Sequence, residues 1–162
     1  MILTNRKTLR AAIKASMDVA LVGVGKPAQI CYQYQTGAFD EEVNGDPANV
    51  AVIVITGNGS DRWEEGSLYV QAEQVVFINV HTFVLYEKEG EWTESQSEDA
   101  IDDLEAGIIT WVSDNSDLRE AANSVWLEVS LMGKSNVDSA FIGGIEYRHE
   151  VLQMAFLVAN TS

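Results

Sequence analysis

Two histidines, His81 and His149, are the side chains best placed by type for chemistry in this chain. Each lies in a stretch whose apolar residues alternate, so each is read as a strand residue. Were those strands neighbours, the imidazoles would meet, and Glu73 or Glu150 would supply a carboxylate for a metal site. Two histidines in sheet positions are more often hydrogen-bonded structural residues, and that reading outweighs a metal.

Other constellations fail on spacing. Gly23-Val24-Gly25-Lys26 resembles part of a phosphate loop. Ala20 stands where its leading glycine belongs, and Pro27 replaces the Ser or Thr that would hold magnesium. Residues 40–45 begin like a calcium loop, with acids or amides at positions one, three and five and a glycine at six. The bidentate glutamate that such a loop needs at position twelve is Ala51 instead. Cys31 is the single cysteine, which excludes an internal disulfide and a cysteine-based zinc site and suits a reducing cytosol. There is no serine in a glycine elbow and no His-Glu-x-x-His run. With 25 acids, some close carboxylate pair is inevitable, so a glycosidase reading has no discriminating power. The chain reads as non-enzymatic, with no cofactor and no metal.

The bulk properties point to assembly. At 162 residues and 46% hydrophobic, the chain can bury one domain's core, read as a single domain over 1–162. No apolar run is long enough to span a membrane, and the polar, basic start does not resemble a signal peptide. The net charge of −15 argues against nucleic acid as a direct partner. Its distribution is uneven: Arg6, Lys7, Arg10, Lys14 and Lys26 face a single acid among the first 26 residues, whereas the rest of the chain carries five bases and 24 acids. A self-associating chain could set that basic end against the acidic face of the next copy. A solvated helix face is the plainer account.

The elements follow from periodicity. Thr4 or Asn5 caps a first helix running to about Val22, with Leu9, Ile13, Met17 and Ala20 or Leu21 as its apolar stripe. Arg6, Arg10 and Lys14, four apart, form a basic ridge on another face. Strands are expected over 28–34, 50–56, 68–87, 125–131 and 145–159, and a second helix from Ser97 to Asn115 with Ile101, Leu104, Ile108, Trp111 and Val112 facing the core. Residues 133–144 are read as a loop. The 68–87 strand, about twenty residues at roughly 3.3 Å each, outruns a domain of this size. Its far end, at Glu87, Lys88 and Trp92, is therefore expected to project towards a neighbouring subunit. Trp63 and Trp92 lie near strand ends where a subunit contact could bury them.

The run Leu104-Glu105-Ala106-Gly107-Ile108-Ile109, then Asp114-Asn115-Ser116-Asp117-Leu118, the strand 125–131 and the closing Gly143-Gly144-Ile145-Glu146-Tyr147-Arg148-His149-Glu150-Val151 carry a resemblance in outline. In this rhythm of elements the chain resembles bacteriophage tail terminator (tail-to-head joining, or tail-completion) proteins. The resemblance implies an α+β fold with a mostly antiparallel sheet, two main helices on one face and a long protruding β-hairpin. It further implies a homo-oligomeric ring, of six copies in such families, joining the tail tube protein to the head-tail connector or adaptor proteins. DNA would only pass through the lumen and no membrane would be involved. Such a protein is made in the host bacterial cytoplasm and resides in the virion. Arg6, Arg10, Lys14, Trp63, Glu87, Lys88 and Trp92 are the expected interface residues. Another neck or tail part, a head-completion or tail-tube protein, stays open, as does a monomeric acidic module that mimics DNA.

Overall fold

The computed structural model describes residues 5–33, 45–61 and 73–159. Their elements run in the order α1 (Arg6–Leu21), β1 (Ile30–Tyr32), β2 (Ala51–Asp61), β3 (Glu73–Leu85), α2 (Glu94–Asp114), β4 (Glu128–Met132), β5 (Val137–Ile142) and β6 (Ile145–Ala159). The fold is α+β, with two helices and a mostly antiparallel six-stranded sheet. The strand order is β1-β2-β3-β6-β4, and β5 also pairs with β6, beyond the end of β4. Among the described strands, only β1 and β2 run parallel.

Alternation sorts the core. Register sets Ile55 opposite Val80 and Val80 opposite Leu152, so Ile53, Ile55, Val76, Ile78, Met154, Phe156 and Val158 share one side of the sheet, all buried. The rings of Trp111 in α2 and Trp126 before β4 pack against Phe156. Leu9, Ile13, Met17 and Leu21 bury the α1 stripe in the same core. Burying each such side chain contributes roughly 1.5–3 kcal/mol. The helices also touch each other, Trp111 Nε1–H donating to Ser16 Oγ at 3.0 Å.

Both helix starts are fixed by side chains. Asn5 Oδ1 accepts from the Thr8 amide at 2.8 Å, satisfying one of the orphan N–H groups of the first turn. At α2 the cap is Thr93, in a reciprocal box with Gln96. That helix therefore starts three residues before the expected Ser97, which lies inside it, buried.

Other expectations change as well: β1 is shorter than 28–34, β2 runs on past 56 to Asp61, and β4 is Glu128–Met132 rather than 125–131. The presumed loop 133–144 contains β5, joined to β6 by Gly143-Gly144 with φ +59° and +79°. Two residues at positive φ make a tight hairpin turn whose twist matches that of the strands, and glycine adopts it without strain. The 68–87 strand is described from Glu73 and ends at Leu85; residues 68–72 lie outside the described residues.

The projecting end expected at Glu87–Trp92 is instead a tight turn. Lys88 N–H donates to the Trp92 carbonyl and Trp92 N–H to the Lys88 carbonyl, both at 2.8 Å, and Gly90 supplies the positive φ. Trp92 Nε1–H donates to the Leu85 carbonyl, folding the indole back against the core. The turn delivers the chain straight into the α2 cap, with Trp92 partly buried against the core and residues 87–91 exposed. The long antiparallel pair is β2–β3, with a register shift between Gly57 and Gly59.

Candidate functional site

The strands that carry the two histidines are neighbours. Register pairs His81 with Val151 and His149 with Phe83, which sets the imidazoles diagonally across β3 and β6 on the face opposite Phe156. Thr56, on β2, is the diagonal neighbour on the other side. His81 Nδ1 lies 3.0 Å from His149 Nε2, and His81 Nε2 lies 3.1 Å from Thr56 Oγ1. The imidazoles are parallel within 2°, and His149 stacks on Phe83 at 4.4 Å between centroids. One proton occupies the gap between the two facing nitrogens in either tautomer, and the threonine hydroxyl donates or accepts to match.

Burial, and then the neighbouring His149, push His81 down to about 4. Burial also lowers His149, with Asp138 acting in the opposite direction. Both rings are thus neutral near pH 7, with their facing nitrogens committed to each other. The expected carboxylate partners are elsewhere. Glu73 is held by Arg119 at 3.1 Å, and Arg119 also reaches Glu128 at 3.1 Å. Glu150, next to His149 in the chain, points through the opposite face of the sheet. Among the described residues no three His, Cys, Asp or Glu side chains form a metal-holding group. What the arrangement can do chemically is relay or store one proton.

Glu150, which the sequence offers only as a carboxylate for the histidine pair, is 3% exposed. Its Oε2 accepts from Ser135 Oγ at 3.0 Å, and Oε1 has no hydrogen-bond partner among the described residues. Burial first, then hydrogen bonding to Glu105, raise this carboxyl to about 7. Two positions earlier, Arg148 is fully engaged. Its Nε–H donates to Ser97 Oγ at 3.0 Å, its guanidinium lies 3.6 Å from Glu94, and it sits over the Tyr86 ring at 4.6 Å. Cys31 is buried in β1 as a strand residue, and burial pushes its thiol up to about 12, which leaves it unreactive.

The expected interface residues are scattered. Lys14 pairs with Asp18 on its own helix at 2.5 Å. Arg10 and Arg6 lie along Gly57 of β2; a Cβ there would sit 3.2 Å from Arg10 Nη1 and 4.0 Å from Arg6 Cδ. Lys88 pairs with Glu91 at 3.3 Å in the exposed turn, where Glu87 is also exposed. Trp63 lies outside the described residues, as does the acidic stretch 40–46 apart from Gly45 and Asp46.

Missed by periodicity is an apolar groove of about 700 Å³ between the helices, lined by Val19, Leu21, Pro27, Gly107 and Trp111. It combines Leu21 and Trp111 from the apolar stripes with Val19, Pro27 and Gly107, which the periodicity does not single out. Among the described residues, no helix is long and apolar enough to cross a membrane. No family model and no curated protein matches this chain.

Proposed function

We propose that this chain is a structural subunit of a phage neck or tail, closing into a ring that terminates the tail tube and joins it to the head connector. The observation that supports this reading is the sheet: mostly antiparallel, with two helices, in the order α-β-β-β-α-β-β-β. A mostly antiparallel sheet with two helices is what the resemblance to tail terminators implies, although β5 replaces an expected loop. In this reading both helices cover one face, and the long hairpin that reaches towards a neighbour is β2–β3. Its strands of 11 and 13 residues are about twice the usual length; residues 62–72, between them, lie outside the described residues. The chain's role is then mechanical, and its acidic surface lets DNA pass without adhering.

The test is native mass by light scattering together with negative-stain electron microscopy. A closed ring of about six copies around an axial opening is expected. An open tube would point to a tail-tube protein instead, and a monomer at every concentration to a free-standing acidic module; either outcome removes the terminator reading.

A further inference from the structure

We propose that the chain carries both halves of a head-to-tail contact: Val137 and Phe141 of β5 enter the groove between α1 and α2 of the next copy. The contact rests on the reading of the chain as a self-assembling subunit and names the two surfaces that would meet. Among the described residues seven large apolar side chains are exposed, and six of them fall at these two places. Val19, 76% exposed, lines the groove, and Val24 stands in the turn that leads to Pro27, another lining residue. Leu131, Met132, Val137 and Phe141 lie on β4 and β5. Shape decides how the two places pair. The groove is concave, about 700 Å³, and Gly107 in its lining packs so closely that a Cβ there would sit 3.1 Å from Leu21 Cδ2. By contrast β5 is an outer strand, paired only with β6 among the described strands. Val137 and Phe141, four residues and about 13 Å apart, point to the same side of it. Two grooves brought together would leave a void, and two protruding rings would collide. A protrusion that fills a pocket elsewhere on the same chain makes a contact that repeats from copy to copy, closing into a ring where the rotation allows. An aromatic ring seated in a pocket is the usual energetic centre of such an interface.

Charge sets the direction. At one end of the groove lies Asp114, the last residue of α2, where the helix dipole favours a cation. The last turn of α2 contains no base, and no ion pair holds Asp114 among the described residues. At the other end, next to Pro27, Lys26 Nζ donates to the Val19 carbonyl. Gly107, at the Pro27 end, and Asp114 are roughly 10 Å apart along the helix, a span comparable to that of the two β5 side chains. The β5 surface carries the opposite order. Lys134, exposed and in no ion pair among the described residues, precedes Val137, and Glu146 lies opposite Phe141. Setting Lys134 against Asp114 and Glu146 against Lys26 pairs unlike charges at both ends, whereas the reverse orientation opposes two lysines.

The test follows the mass of the full chain by light scattering over a concentration series. Phe141→Asp removes the protrusion and Val19→Asp blocks the groove; both replace exposed side chains, so each variant should stay folded. Each should need about thirtyfold more protein than wild type for half-assembly. Mixed in equal amounts, the two should form a one-to-one pair and stop there, because one intact protrusion then meets one intact groove. Lys134→Glu or Asp114→Lys should weaken assembly several-fold and the double reversal should restore it, which keeps the test decisive if Phe141→Asp fails to fold. Variants that assemble as wild type does would overturn the contact and leave the ring reading standing. A mixture no heavier than its parts would overturn it too, in favour of a two-fold contact or a different protein in the groove. A wild type that stays monomeric at every concentration would remove both readings. An open filament whose variants complement each other would keep the contact and remove the ring.

Discussion

At the scale of single residues, a half-buried histidine and a buried carboxyl titrate in opposite senses across the sheet. His81 is depressed on one face and Glu150 is raised on the other. A histidine depressed on folding contributes its stability above the unfolded value of 6.5, and that contribution is lost as pH falls through about 4. His81→Gln, which cannot charge and can still bond Thr56, should therefore reduce the acid sensitivity of unfolding between these values. After allowing for partial exposure, the difference from wild type should be on the order of 1–2 kcal/mol, read from urea midpoints at stepped pH. An equal slope in the variant would mean that the imidazoles titrate as in the unfolded chain. Neither effect was legible in the sequence. His81 reaches His149 only because register pairs it with Val151, and a shift of one residue would send the two rings to different faces.

At the scale of elements, the strongly periodic segments were readable and the capped or exposed ones were not. Leu9, Ile13 and Met17 in α1, and Ile101, Leu104, Ile108, Trp111 and Val112 in α2, are the buried stripes that the spacing predicts, and of Ala20 and Leu21 it is Leu21 that is buried. The 145–159 strand was placed at its observed bounds because apolar residues alternate along its whole length. By contrast, β5 buries almost nothing: Phe141 is 70% exposed. Val137, Ala140, Phe141 and Ile142 do not alternate as a half-buried strand would, so the sequence reads as loop despite the two-glycine turn beside it. The start of α2 was hidden by a polar run, although Thr93-Glu94-Ser95-Gln96 has the spacing of a capping box. Thr93→Ala should cost about 1 kcal/mol in thermal or urea unfolding. Removing residues 88–94 deletes the Trp92 anchor as well as the cap. It should abolish cooperative unfolding, where a projecting loop would have left the fold intact.

At the scale of the whole molecule, the charge asymmetry gains a finer address. Lys14 is satisfied by Asp18 within α1, leaving Arg6, Lys7 and Arg10 as the bases for an acidic neighbour. Arg6→Glu with Lys7→Glu should weaken the proposed ring more at low salt than at high, measured by light scattering, while the monomer's melting temperature moves little. Lys14→Glu should matter less. Identical assembly of the double variant at low salt would reduce the basic ridge to a solvated face. The sheet order has a further consequence, for the chain as it is being made. Strand β6 is the last described strand to be synthesised, yet it lies between β3 and the β4–β5 edge. Until it emerges, β3 has one unpaired edge and Trp111 lacks Phe156 beneath it. The nascent chain therefore holds an incomplete, adhesive sheet throughout its elongation. Completion waits on contacts between residues some seventy positions apart, which places folding in the slower millisecond-to-second range of roughly similar topologies and makes early assembly between incomplete copies a hazard to be outrun.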